Sequence, residues 1–362
     1  MQTITLRMKL LKPTEAKKAE YRRMTNETTA LANRLIGLPK KERSISSKSI
    51  GGDLPSAVKN QLVRDVNGNK TAKRFRRVWP AFNNQNFRVE KETAKDGKET
   101  WKASFPTGEK RVGVPVVATD YHKPYLELLQ TGKAKQGAAK LVERRGEWYT
   151  HLSLTIGEPE KEVSSVPAKM PKIVGIDLGL IVLLAAWCGG LTLFVHGGPL
   201  AYVRRHFAAL RWSYQKNGAK RALKRLGDRE HRWVTDMNHK IARAVVDFAK
   251  KNGANLIRLE DLTGIRWTRR QSRKQRQDHG RSLHHWPFFQ LRQFIEYKAA
   301  LAGIEVQSVN RDKTSQTCSR CGETRSVRPA SRWFECPRCK RKKHVDANAA
   351  ENVASAISGL AA

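Results

Sequence analysis

Three carboxylates and four thiols in the second half of the chain are the residues best suited to chemistry. Asp177 stands in "KIVGIDLGLIVLL" with apolar neighbours on both sides. A charge left alone in such surroundings is costly, so this carboxylate must be paired, coordinated or set at a strand end facing a cleft. Its plainest structural use is to cap the turn before Gly179. Glu260 ends the run "ANLIRLE" beside Asp261, where a solvated strand end is the ordinary alternative. Asp346 opens "DANAAENVA" and could be a helix N-cap, but Asn348 and Glu351 have the spacing of an N-x-x-E capping box, which starts the helix better and leaves Asp346 for another task. Brought close together, three acids repel and raise one another's pKa unless hard cations bind between them. Two Mg²⁺ ions about 3.5–4 Å apart would activate a water and stabilise the leaving oxygen of a phosphodiester hydrolysis.

The thiols Cys318, Cys321, Cys336 and Cys339 read C-x2-C-x14-C-x2-C. Each C-x-x-C turn can place two thiolates on one tetrahedral Zn²⁺, and the intervening excursion fits a short hairpin. Such a site is closed to water and structural; a disulfide or an iron–sulfur site is the alternative. The fifth cysteine, Cys188 in "WCGG", reads as an ordinary free thiol, and the pair His284 and His285 as a helix entry. The amino terminus has no apolar core of signal-peptide length, and the longest apolar run, "LIVLLAAW", is too short to span a bilayer. A reducing cytoplasm follows, nucleoid-associated in a prokaryote, where paired cysteines read as metal ligands before disulfides.

The element order must bring the acids together. "KIVGIDLG", "LIVLLAAW" and "LTLFVHGG" read as an antiparallel meander turned at "CGG". After a basic helical section at 200–226, Trp233, Met237, Ile241, Val245 and Phe248 mark one helical face that stops at Gly253. Strand "ANLIRLED", helix "FFQLRQFIEYKAALAG", strand "IEVQSVN", the cysteine segment and a last helix complete the order of the ribonuclease H fold. That order gathers the end of its first strand, the end of its fourth and the start of its last helix. Upstream, "TITLRMKLL" alternates as a strand to Pro13, Thr14 caps a helix running to Gly37, and Leu54, Val58, Leu62 and Val66 mark another. From 77 to 160, short runs including "FRVEKET", "TWKASFP", "VGVPVVA" and "YLELLQT" read as strands of a small antiparallel barrel, which the first strand joins. The helices are then an insertion, and "GEPEKEVSSVPAKMP" is a linker with a boundary near 165.

Charge names the partner class. Seventy Lys plus Arg stand against 33 Asp plus Glu in 362 residues, a net +37. That excess repels itself unless a polyanion neutralises it, and a nucleic acid carries enough phosphates where a small metabolite does not. No amphipathic anchor argues for a membrane. Ten Lys or Arg fall between 204 and 232, among them Arg204, Arg205, Arg211, Lys220, Arg221, Lys224 and Arg225. Seven fall between 266 and 281, including Arg269, Arg270, Arg273 and Lys274, and eleven between 311 and 343. Trp212, Tyr214, Trp233 and Trp267 lie among them as stacking surfaces or core. The polar run Asn83, Asn84, Gln85 and Asn86 is either a surface loop or a reader of adenine edges.

"GIDLG", "NHKIARAVVDFAKKNGANLIRLEDLTGIR", "YKAALAGIEVQSVN", "TSQTCSRCG" and "HVDANAAENVA" together resemble the TnpB family, transposon-encoded RNA-guided DNA nucleases related to the type V CRISPR effectors. The resemblance is specific from about residue 171 onward. It implies that Asp177, Glu260 and Asp346 are the three RuvC acids and that the cysteines form a zinc ribbon inserted before the third. It implies the following organisation: residues 1–12 as the first strand of a wedge barrel, 13–76 as a helical recognition insertion, 77–165 as the wedge β-barrel, and 166–362 as a RuvC-like nuclease domain containing the ribbon at 311–343. The fold class is thus multidomain α/β plus β. Expected partners are a guide RNA and double-stranded target DNA, with a monomer favoured and the basic loop 266–281 as a mobile cover. A short target-adjacent motif would be read by protein and the remainder by base pairing. A compact CRISPR effector, an unguided ribonuclease H-like resolvase or transposase, and an inactive nucleic-acid-binding protein are the alternatives.

Overall fold

The computed structural model describes residues 1–43, 46, 47, 49–69, 71–93, 99–108, 110–157, 171–179, 181–261, 286–309, 314–324 and 332–356. The expected linker and cover loop, with Trp267, Arg269, Arg270, Arg273, Lys274, His284 and His285, lie outside the described residues. The chain divides into two compact units, Met1–Gly157 and Glu158–Ala362.

In the first unit, β1 (Gln2–Leu10) is followed by α1 (Glu15–Gly37) and α2 (Ser56–Gly68). The Thr14 side chain accepts from the Lys17 amide, an N-cap that satisfies one orphan donor of α1. Then come β2 (Ala81–Phe82), β3 (Arg88–Thr93), β4 (Glu99–Pro106), β5 (Arg111–Val117), α3 (Lys123–Gln130), β6 (Ala134–Arg144) and β7 (Glu147–Ile156). The seven strands form one antiparallel sheet in the order β2-β6-β7-β1-β5-β4-β3, with β1 in its middle. The sheet curls strongly: Phe82 on edge strand β2 and Phe105 on β4, near the other edge, have ring centroids 5.2 Å apart. Tyr21 of α1 packs between Phe105 and Trp148, so the helix covers the sheet's apolar face. "YLELLQT" is a helix rather than the expected strand. Pro124 sits in its first turn, Leu126 is its buried anchor, and the Leu and Glu residues are good helix formers.

In the second unit, β8 (Ile173–Leu178), β9 (Val182–Cys188) and β10 (Leu191–His196) form the antiparallel meander. Gly189 and Gly190, at φ 56° and 92°, supply the two left-handed residues that the tight turn between β9 and β10 requires. Three helices follow, α4 (Gly197–Lys216), α5 (Lys220–Leu226) and α6 (Arg229–Lys251), then β11 (Leu256–Glu260), α7 (Phe288–Leu301) and β12 (Glu305–Val309). The sheet order is β10-β9-β8-β11-β12, with β11 parallel to both its neighbours. Its first face buries Val174, Ile176, Ile257 and Leu259 against Ile241, Val245, Leu291 and Ile295 of α6 and α7. Each such side chain contributes about 1.5–3 kcal/mol by leaving water. The buried stripe of α6 is Val234, Asn238, Ile241, Ala242, Val245, Val246 and Ala249, with Trp233, Met237 and Phe248 only at its margin. Hairpin β13 (Trp333–Glu335) and β14 (Lys342–His344) leads into α8 (Val345–Ser355), which covers the sheet's second face.

Candidate metal centre and nucleic-acid surfaces

Strand alternation decides where the acids go. Val174 and Ile176 enter the core, so Gly175 and Asp177 lie on the second face. On β11, Ile257 and Leu259 enter the same core, which gives Arg258 and Glu260 the face shared by Gly175 and Asp177. The parallel register sets Arg258 against Gly175 and Leu259 against Ile176, which brings Glu260 alongside Asp177 at the carboxyl ends of both strands.

Helix α8 lies directly on this face. A Cβ at residue 175 would collide with the Ala350 carbonyl oxygen and the Ala354 backbone nitrogen, so only glycine permits the approach. Arg258 Nη1 donates to the Ala354 carbonyl at 2.7 Å and holds the helix's last turn over β11. Ala350 packs with Val182 and Ala185, and Ala185 is the cross-strand partner of Asp177. Asp346 stands one turn before Ala350 on the same helical face. Alternation thus assigns Asp177 and Glu260 to one face at one end of the sheet, and Asp346 opens the helix that covers that face. Glu260 is buried and the Asp346 side chain is 15% exposed, so neither has an ordinary solvated setting.

The start of α8 differs from the sequence expectation. His344 is the N-cap, its Nδ1 accepting from the Asp346 amide, and its ring stands edge-on to Phe194 at 4.9 Å. Asn348 and Glu351 are not a capping box but lie inside the helix and grip the first cysteine turn. Asn348 accepts from the Ser319 amide at 3.0 Å and donates to the Thr317 carbonyl at 2.7 Å. Glu351 accepts from the Ser319 hydroxyl at 2.6 Å and pairs with Arg341 and Lys343. Burial pushes the Glu351 carboxyl up, but the hydrogen bonds from Lys343 and Ser319 and the charges of Lys343 and Arg341 outweigh it and hold the group below the usual range. Tertiary partners thus use residues whose spacing mimics a local cap.

The cysteine sulfurs all lie within 4.8 Å of one another. Cys318 Sγ is 3.7 Å from Cys339 Sγ, and Cys321 Sγ is 3.5 Å from Cys336 Sγ. These spacings are far beyond a disulfide and close to the edge of about 3.8 Å that Zn–S bonds of about 2.3 Å give a tetrahedron. The Cys339 backbone N–H aimed at Cys336 lowers that thiol, whereas at Cys321 the Glu323 N–H lowers the thiol but burial and the three neighbouring thiols raise it. The four cysteines therefore form a group able to hold a metal ion. The paired strands β13 and β14 embrace the second cysteine turn, and a Thr317–Thr324 bridge closes the first. A hairpin lying between the two cysteine pairs, as expected from sequence, would span 325–331, outside the described residues.

The basic positions separate into engaged and outward sets. Arg204 Nε and Arg211 Nη1 both bind Glu230, and Arg204 also lies 6.0 Å from the Trp286 ring centroid. Burial raises the Glu230 carboxyl, yet these two guanidiniums more than offset it. Arg205, Lys220, Arg221, Lys224 and Arg225 are exposed, with Trp212 beside them 64% exposed and carrying Lys216 over its ring. In the first unit Asn83 accepts from the Asn86 amide and side chain, closing a turn, while Asn84 and Gln85 face outward. Sequence reasoning missed a second basic surface there. Asn33 brackets Phe75 with hydrogen bonds to its N–H and carbonyl, and Thr29 accepts from Val78 N. The strap so fixed leaves Lys73, Arg74, Arg76 and Arg77 exposed. The dense run "KRFRR" was its visible signal.

The family described as Cas12f1-like, TNB domain, matches residues 288–353, from α7 to α8. The CRISPR-associated endodeoxyribonuclease Cas12f1 of Sulfoacidibacillus thermotolerans is 29% identical over 266 residues, 68% of this chain and 59% of that protein. A Cas12f1 of Syntrophomonas palmitatica is 30% identical over 54% of this chain and 40% of its own length. The TnpB-like protein MJ0751 of Methanocaldococcus jannaschii is 28% identical over 59% of this chain and 75% of that one. The chain thus spans about two-fifths to three-fifths of the Cas12f1 relatives. In the cryo-EM structure of a Cas12f1–sgRNA–target DNA complex, the matched chain has a TM-score of 0.67 at 14% identity, covering 97% of this chain and 98% of that one. By sequence the chain is a relative of the Cas12f1 and TnpB-like proteins, and it has the fold of a Cas12f1 chain.

Proposed function

We propose that the chain is an RNA-guided DNA endonuclease of the TnpB type, with a ribonuclease H-like (RuvC) nuclease domain, an inserted zinc ribbon, and a wedge-type barrel carrying a helical recognition insertion. The observation that carries this reading is the close packing of α8 on Gly175, on the face to which strand alternation assigns Asp177 and Glu260, with Asp346 one turn ahead of Ala350. In it, Asp177, Glu260 and Asp346 hold Mg²⁺, and Cys318, Cys321, Cys336 and Cys339 hold a structural Zn²⁺. Bound Mg²⁺ would supply an activated water and charge stabilisation at the leaving oxygen. The protein's part is to fix the carboxylates, and to hold the nucleic acid by its backbone phosphates through Arg205, Lys220, Arg221, Lys224 and Arg225 among other cations. The endodeoxyribonuclease names of the relatives, the sgRNA and target DNA in the complex of the structurally matched Cas12f1 chain, and the +37 charge support guide RNA and double-stranded DNA as partners.

Purified protein should carry one long, discrete RNA from its own locus, giving a nucleic-acid-dominated absorbance spectrum. It should cut DNA matching that RNA in Mg²⁺; cutting that ignores the RNA sequence would leave an unguided nuclease instead. A compact type V CRISPR effector is the second reading, favoured by the Cas12f1 matches. Sequencing the bound RNA separates the two, since a CRISPR guide derives from a repeat array.

The turn at 83–86 makes a separable prediction. Asn84→Ala with Gln85→Ala should change motif preference in a randomised-target cleavage assay, because a bidentate amide–adenine pair discriminates by about 1–3 kcal/mol. Asn83→Ala or Asn86→Ala should lower stability and leave preference intact. An unchanged preference in the first pair dismisses the turn as the reader.

A further inference from the structure

We propose that Thr314 is a positioning residue for the Glu260 carboxylate and that the cysteine ribbon sets it through α8. This inference rests on the three-acid reading. Thr314 Oγ1 donates to Glu260 Oε1 at 2.7 Å. Glu260 ends β11 and is buried, so its orientation is governed by protein partners rather than by water. Thr314 belongs to the stretch between β12 and the first cysteine turn, and it is held there from α8. Asn352 Nδ2 donates to the Thr314 carbonyl at 2.7 Å and to the Thr317 carbonyl at 2.7 Å. Thr317 adjoins Cys318, and its carbonyl also accepts from Asn348.

A continuous set of contacts therefore runs from the cysteine cluster to Thr317, through Asn352 to Thr314, and from the Thr314 hydroxyl to Glu260. Asp346 lies on the same helix as Asn348 and Asn352, so one clasp positions the second and third acids together. A carboxylate has about four lone-pair sites. The Thr314 hydroxyl takes one of them and so restricts how the carboxylate can turn toward a cation. Hydrogen bonds of this kind behind a ligand are worth about 10–100-fold in metal affinity.

The test compares Thr314→Val, which keeps the shape and removes the donor, with Thr314→Ser, which keeps the donor. Two readouts are taken on the RNA-bound protein. One is the Mg²⁺ concentration giving half-maximal cleavage. The other is independent of activity: Fe²⁺ with ascorbate and peroxide generates hydroxyl radicals at the occupied cation site and fragments the chain near β8, β11 and the start of α8. Thr314→Val should raise both half-saturating concentrations about 10-fold or more, with zinc content and bound RNA unchanged, and Thr314→Ser should stay close to the parent. Equal Fe²⁺ dependence in Thr314→Val and the parent overturns the inference, as does a Thr314→Ser variant shifted as far as Thr314→Val. Asp177→Ala is the control. If site-specific fragments persist in it, the three-acid reading fails and takes this inference with it; if they vanish there but are unshifted in Thr314→Val, the inference alone fails.

Discussion

Replacing any one of Asp177, Glu260 or Asp346 by Ala is expected to abolish Mg²⁺-dependent DNA cleavage, by about 10³-fold or more, while guide-RNA binding and guide-dependent DNA binding persist. The size follows from the several kcal/mol that a bound cation contributes to transition-state charge, at about 1.4 kcal/mol per tenfold in rate. The asymmetry follows because, under the proposed function, affinity rests on base pairing and on cations elsewhere. Arg205, Lys220, Arg221, Lys224 and Arg225 lie on α4 and α5, and none of the three acids belongs to those helices. Glu260→Gln is the sharper companion, since the amide retains an oxygen able to accept from Thr314 but loses the charge. Single-turnover cleavage measured beside an electrophoretic shift with the same RNA-loaded protein separates the two effects. A variant that still cuts at the parental rate removes that residue from the site.

The elements carrying these acids were legible because each has one dominant local signal. β8 and β9 are apolar runs of strand length, and β11 and β12 are short β-rich segments bounded by Gly and polar residues. The α6 period was visible too, although the stripe drawn through Trp233 and Met237 was displaced from the one that Val234, Asn238 and Ala242 actually bury. Where reading failed, a distant partner had overridden the local pattern. Asn348 and Glu351 have capping-box spacing, but Ser319 and Thr317 claim them. Arg204 is one cation among ten in its stretch, and only the fold reveals that Glu230 and Trp286 draw it inward. Thr314 gave no signal, since a hydroxyl beside a cysteine motif says nothing of a carboxylate 54 positions earlier. In sequence Gly175 is only one residue of the strand "KIVGIDLG", whereas its missing side chain is what admits α8.

The ribbon bears on the third acid through the same helix. Replacing Cys318 and Cys321 by Ser should release Zn²⁺ and impair cleavage far more than guide-RNA binding. A structural site of this type contributes about 10–16 kcal/mol of apparent binding energy in isolated peptides, so its loss should free the first cysteine turn from its fixed path. Ser319 and Thr317 then leave Asn348, which is wholly buried, and each buried polar group left without a partner costs about 1–3 kcal/mol. The helix is held at its far end by Arg258 on the Ala354 carbonyl and at its centre by the close contact with Gly175. Its first turn depends instead on His344, on the hairpin behind it and on the cysteine turn gripped by Asn348. Loosening should therefore concentrate at Asp346 and leave the middle of α8 on the sheet. Asn348→Ala, which removes the grip while keeping all four thiols, should reproduce part of the cleavage defect with zinc retained. Elemental analysis, cleavage and RNA binding measured on both variants check each step. Full cleavage by the zinc-free protein would mean that Gly175 and Arg258 alone hold α8 in register, and that the placement of Asp346 owes nothing to the metal.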